Sequence, residues 1–428
     1  MLFDFIAVSF AIGLSIFLII KQVVPIVALF IGGAVGVLLG GANLAAVLDL
    51  FITGTGNMSG VNIRVVAGGV MAGVLIGSGA METIARSIID NLGERRLLLA
   101  IALSAFIATA VGVFVTIGVI ILAPIGLEVG KKAGLSKASV ILALSGGGKA
   151  GNLISPNANT VVAAELFDVE LSAVMLGGAL PALAGFALTV VLASHLKMKG
   201  EGILAEDVTY TQGAGTPSQA LGFKKAMAAP MAMMVLLLVG PILNLWMDAP
   251  WAIIDAMFAL PLAAVMGALV MGKHRELVSY VNLGLTKVMP VVLTMMGAGV
   301  LGEMISRSAM PTAIQTGIAQ MGIPSFLLAP ISGALLATAA GSTVTGVILA
   351  GGAFAPALLG MGTAPLSSAV MMHAGAIISD VPHGNYVLAT CDVFKIDMKQ
   401  RAKVLPYETL IGFIMVVVAV VLFCFVVA

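Results

Sequence analysis

Charge is what this sequence has least of. Lys, Arg, Asp and Glu together make up 10% of 428 residues, against about 25% in ordinary soluble domains. A chain this long cannot cover a water-facing surface with so few charges, which excludes a soluble enzyme and a disordered chain. The balance of 21 basic to 20 acidic residues leaves no basic excess for nucleic acid. Cysteine is equally scarce. Cys391 and Cys424 are too few for a disulfide framework. No His-Glu-x-x-His occurs, and no Ser/His or paired-Asp constellation stands at helical spacing, so the expectation is not an enzyme, with no metal site and no cofactor. The opening MLFDFIAVSF has no basic n-region or small-residue cleavage site and reads as a retained span.

What remains is apolar: 60% hydrophobic residues and 51 glycines, the composition of an all-α integral membrane protein. About 20 apolar residues cross the hydrocarbon layer. Segments 5–20, 23–41, 62–80, 171–194, 227–246, 251–271, 287–306 and 407–428 meet that rule. Residues 97–127 do not, because they form a charge-free run of thirty-one. As one helix it would be about 46 Å long, and it is too short for two spans and a turn. Lys and Arg clusters at 21, 95–96, 131–137, 197–199, 224–225, 273–275 and 395–403 belong on the cytoplasmic side, so the run must begin and end inside. A re-entrant hairpin satisfies both constraints. The same bookkeeping makes 138–167 and 366–394 broken helices and 326–359 a second hairpin, and puts both termini outside.

The halves resemble each other. Aligning Ala80 with Ala309 gives thirteen identities in thirty-three positions, including Ala108-Thr-Ala-x-Gly112 against Ala337-Thr-Ala-x-Gly341. Each half has five crossings and one hairpin. Five is odd, so the second half is expected upside down, with broken helices meeting at the midplane as in secondary transporters. The expected units are an N-terminal repeat 1–194, a cytoplasmic linker 195–226 and a C-terminal repeat 227–428.

Four polar, glycine-rich interruptions carry the chemistry: Gly112–Thr116, Gly146–Thr160, Gly341–Gly346 and Ser379–Asn385. A broken helix exposes N–H groups and a dipole that favour anions, and hydroxyls and amides add donors for carboxylate or hydroxyl groups. Ser155, Asn157, Asn159, Thr160, Gly341, Ser342, Thr343, Thr345 and Asn385 are the substrate-binding candidates. The 155–160 run alternatively forms a plain polar turn, and Gly341–Gly346 a close helix contact. Lys149 either snorkels to an interface or attracts a carboxylate. Asp380 and His383 either satisfy each other in their break or carry the coupling proton. Glu165 is either a gate or an exposed helix end.

VLIGSGAMETIARSIIDNLGERR (74–96), LLATAAGSTVTGVILA (335–350), GNLISPNANTVVAAELFDVEL (151–171) and SDVPHGNYVL (379–388) resemble the gluconate permease family of gluconate:H+ symporters. The resemblance covers most of the chain outside the linker. It implies the ion transporter superfamily fold, a homodimer, an elevator-type movement in the bacterial inner membrane, and proton-coupled uptake of gluconate or a related sugar acid or hydroxycarboxylate. The chain departs from the family where SPNANT replaces PPHPGPT and SDVPHGN replaces an acidic HVNDSG arrangement. Its Ser-Asn-Thr character is similar to Na+-coupled dicarboxylate transporters of the same superfamily. A Na+/H+ antiporter is the remaining alternative.

Overall fold

A computed structural model describes residues 2–21, 23–212, 221–247, 254–378 and 380–426, without the side chains of 2–4, 209–212 and 245–247. Ser379, part of the linker and the start of the 251–271 segment lie outside them. The described residues are helical, with a single isolated bridge between Ser136 and Gly202 and no strand.

Four helices open the chain: α1 (Leu2–Ile20), α2 (Pro25–Leu39), α3 (Leu44–Asn57) and α4 (Ser59–Gly77). Then come α5 (Ala80–Leu92), the pair α6 (Leu97–Ala110) and α7 (Val115–Lys132), the pair α8 (Lys137–Leu153) and α9 (Ala158–Leu166), and α10 (Leu171–Gly177) with α11 (Ala179–His195). The short α12 (Ala205–Gln212) and α13 (Phe223–Ala226) lie in or beside the linker. The second half runs α14 (Ala228–Met247), α15 (Ala256–Val270), α16 (Leu277–Ser306), α17 (Met310–Met321), the pair α18 (Leu328–Ala340) and α19 (Thr343–Gly360), the pair α20 (Pro365–Ile377) and α21 (Asn385–Phe394), α22 (Met398–Ala402) and α23 (Leu405–Val421).

Two expectations change. Residues 44–57 form a helix where the sequence suggests only a connection. LAAVLDLFITGTGN is fourteen residues with Asp49 in its middle, too short to register as a span, but it packs on α2 and α16. The 287–306 segment is the second part of a thirty-residue helix beginning at Leu277. Among the described residues, α4, α16, α19, Phe223–Asn244 and Met398–Val426 are long and apolar enough to cross a membrane, and α10 with α11 adds a sixth candidate bent by 43°.

The helices pack in two groups. α1–α4 and α14–α16 form a frame. α6–α11 pack with one another, and α18–α21 and α23 complete that second group. α16 against α19 and α4 against α9 join the groups. Within the second group α8 lies so close to α6 that a Cβ on Gly147 would fall on the Ala102 carbonyl oxygen, and one on Gly151 on the Phe106 carbonyl oxygen. Backbone cannot yield as a side-chain tip can. Gly147→Val is therefore expected to cost about 3 kcal/mol or more, read as a lower melting temperature and loss of the monodisperse species in detergent. An unchanged melting temperature would contradict the close crossing.

Lys137 is one of the charges expected on the cytoplasmic side. It is buried, its Nζ 2.9 Å from Asp207 Oδ1 and 2.9 Å from Glu201 Oε1. Two carboxylates from the linker thus fold it over the start of α8.

Candidate functional site

The two paired helices in each half meet end to end around one cavity. α8 stops at Leu153, and Asn157 starts α9 as its N-cap, its side chain accepting from the amides of Asn159 at 2.9 Å and Thr160 at 3.5 Å. Pro156, which has no N–H to lose, lies between. α18 ends because Gly341 turns into the left-handed region at φ +62°. Ser342 then caps α19 by accepting from the Thr345 amide at 3.4 Å. α7 follows Phe114 and α21 follows Gly384, and neither residue supplies a capping side chain. The two breaks of the second half touch: a Cβ on Gly341 would stand 2.9 Å from His383 Cδ2, and one on Gly384 3.0 Å from the Gly341 carbonyl oxygen.

The cavity between these ends measures about 190 Å³, below the ~300–1,000 Å³ of drug-sized ligand sites, so it suits a small solute. Its polar wall carries Thr116, Asn152 and Asn159 from the first half and Ser342, Thr343, Asp380 and Asn385 from the second. Four helices begin at this wall, and two of them lack side-chain caps, so their first amides and dipoles are directed at it. Lys149 supplies a full positive charge. It is buried, its Nζ 3.0 Å from Asp380 Oδ2 and donating to the carbonyls of Ile378 at 3.4 Å and Glu408 at 3.3 Å. That geometry is not a snorkelling lysine.

Seven of the twelve sequence candidates share this wall: Lys149, Asn159, Gly341, Ser342, Thr343, Asp380 and Asn385. Ser155, Asn157 and Thr160 are buried at the start of α9, outside the cavity lining. Asn157 works there as a cap, and its amide also donates to Asn152 Oδ1. Thr345 and His383 line a second cavity of about 530 Å³, bounded by α1, α2, α16 and the α18–α19 turn. His383 and Asp380 therefore do not satisfy each other; Asp380 turns to Lys149.

Asn152 was not singled out in the sequence, yet it organises the first break: its Oδ1 accepts from both Asn157 and Asn159, the latter at 2.9 Å. Amides at positions 152, 157 and 159 were the visible signal. Behind the wall lies a second buried pair. Arg401 Nη2 donates to both Glu408 oxygens at 2.9 Å, Arg401 Nε donates to Thr390 Oγ1 at 2.7 Å, and both charges are fully buried. Tyr386, one residue beyond the quoted break, lines the cavity and lies under the Arg401 guanidinium, 5.7 Å from it.

Apolar helices, several long enough to cross a membrane, with a small polar cavity built from broken helix ends, define a multi-pass membrane protein. The comparisons with known proteins are specific. The chain belongs to the GntP permease family: residues 3–427 match the model for GntP family permeases, a family of transporters and not of enzymes. It is 40% identical to an uncharacterized transporter of Haemophilus influenzae over 96% of both chains. It is 24% identical to the high-affinity gluconate transporter of Escherichia coli over 84% of this chain and 83% of that one. The crystal structure of the Alcanivorax borkumensis YdaH transporter shares the fold, with a TM-score of 0.68 over 90% of each chain at 15% identity.

Proposed function

We propose that this permease carries gluconate or a related small sugar acid or hydroxycarboxylate across the bacterial inner membrane together with H+. The observation that supports this most is the pairing of Lys149 with Asp380 at the wall of a small cavity faced by uncapped helix ends. A substrate carboxylate takes the place of Asp380 beside Lys149. Thr116, Asn152, Asn159, Ser342, Thr343 and Asn385 serve its hydroxyls. Asp380, released from its cation, takes up the proton, and the buried charges then sum as before: Lys149 and Arg401 against Glu408 and one anion.

The recurrence of paired helices supports two inverted repeats with re-entrant hairpins at α6–α7 and α18–α19. In this account the second group of helices slides as an elevator against the frame, within a homodimer whose termini lie outside. Ser155, Asn157 and Thr160 act from behind the wall by shaping the start of α9, and Thr345 and His383 act from the second cavity, on the route in.

One observation favours a second account, Na+-coupled uptake of an organic anion. Ser155 Oγ, Asn159 Oδ1 and Thr160 Oγ1 are buried and make no hydrogen bond among the described residues, and such oxygens suit a Na+ ion. Proteoliposomes separate the two. Under the proton account an inward pH gradient drives gluconate uptake without Na+. A membrane potential imposed at equal pH adds little, because one proton balances one anion. Uptake that requires Na+ moves the assignment to the second account. Na+/H+ exchange with no uptake of gluconate, glycerate or a dicarboxylate overturns both.

A further inference from the structure

Arg64 joins three helices at the opposite end of α9 from the cavity. It sits in the second turn of α4. Its Nε lies 3.1 Å from both oxygens of Asp255 and its Nη2 2.7 Å from Asp255 Oδ2. Asp255 is the N-cap of α15 and accepts the Met257 amide at 2.8 Å. This forked contact closes within the frame, since α4 and α15 pack on each other there. The remaining arm, Nη1, reaches Glu165 Oε2 at 2.6 Å in the last turn of α9. α9 is part of the second group, and its other end carries Asn159 to the cavity wall. One guanidinium therefore holds the frame by a fork and the substrate-bearing group by a single bond.

The surroundings are cut to admit the single bond. Gly60 lies one turn before Arg64 on α4, and a Cβ there would stand 3.0 Å from Glu165 Oε1 and 3.3 Å from Arg64 Nη1. A cavity of about 310 Å³ opens beside the three side chains, with Asp168, Glu170 and Ser172 on its wall. Arg64, Glu165 and Asp255 side chains are each a quarter to a third exposed, so water can replace a broken bond at small cost.

We propose that Arg64–Glu165 is a latch: it holds the substrate-bearing helices against the frame in one access state and opens in every transport cycle, while Arg64–Asp255 stays closed. The latch rests on the moving-group account given under Proposed function. The contact is asymmetric in the required sense, forked and N-capped on the static side and single on the moving side.

The test keeps Arg64 and Asp255. In a background with Cys391→Ser and Cys424→Ser, Gly60→Cys and Glu165→Cys are bridged by a short, reducible bifunctional thiosulfonate in proteoliposomes. Bridging is expected to stop gluconate uptake while gluconate binding in detergent persists, and reduction restores uptake. Uptake that continues at the unbridged rate overturns the latch. Glu165→Gln alone gives a second, independent reading: gluconate affinity is kept while the exchange rate changes about five-fold, the lower end of typical coupling between two conformational states. An unchanged exchange rate overturns the latch. Failure of the transport account itself looks different: the unmodified protein then takes up no anion.

Discussion

Lys149→Gln is expected to abolish transport while leaving a folded protein. A charged hydrogen bond to a carboxylate is worth about 1.5–3 kcal/mol, so losing it lowers substrate affinity by up to about 100-fold. The change also leaves Asp380 without its cation in a buried break, which costs stability on top. Adding Asp380→Asn should therefore restore the melting temperature but not gluconate binding. That split between fold and binding identifies the lysine as an anion-binding group and not a structural one. Lys149→Arg is not expected to rescue transport. The Lys149 ammonium fits between the Ile378 and Glu408 carbonyls, a site for a compact charge that a planar guanidinium does not match. Melting temperature and gluconate binding in nanodiscs, with gluconate uptake in proteoliposomes, measured on the three variants, check this. Wild-type uptake by Lys149→Gln would move the anion site elsewhere.

The largest effect on stability is expected at Arg401. Its guanidinium and the Glu408 carboxylate are fully buried and bond to each other at 2.9 Å. Removing one member of such a pair leaves a naked charge and costs about 3–5 kcal/mol. Arg401→Met should therefore fail to yield stable protein or should melt far below the parent. Arg401→Met combined with Glu408→Leu removes both charges at similar volume and should recover most of the loss. The pair does more than hold α22 to α23. Arg401 also donates to Thr390 at 2.7 Å and stacks over Tyr386, both on α21, whose first residues line the cavity. The stable double variant is therefore expected to bind substrate more weakly than the parent. A single Arg401→Met protein that melts like the parent would contradict the pair.

The breaks were legible in the sequence because glycine, proline and amide side chains interrupt otherwise charge-free runs. Gly341, Pro156 and the caps Asn157 and Ser342 fix helix ends by local rules that need no tertiary knowledge. The wall of the cavity was legible only in part, for two reasons. Residues of one polar run divide between two cavities: Thr343 lines the small one, Thr345 the larger one, and Ser342 both. A run of letters does not show that division. The two most consequential ion pairs join distant segments, Lys149 to Asp380 and Arg64 to both Glu165 and Asp255. Such pairing depends on how helices cross. Arg401 read as one more cytoplasmic charge because it stands among Lys395, Lys399 and Lys403, and only packing distinguishes the buried member. The 44–57 helix was hidden by Asp49, which pairs with Arg307 at 2.6 Å at the end of α16.

The central claim is that the anion binds at the cavity between the broken helix ends. Substrate protection of a thiol tests it most directly. In the background lacking Cys391 and Cys424, Thr343→Cys and, as a control, Thr363→Cys in the α19–α20 turn are labelled with an anionic maleimide in detergent. Saturating gluconate should slow labelling at position 343 and leave position 363 unchanged. Equal labelling rates at position 343 with and without gluconate, in a variant shown to bind it, would contradict the placement of the site.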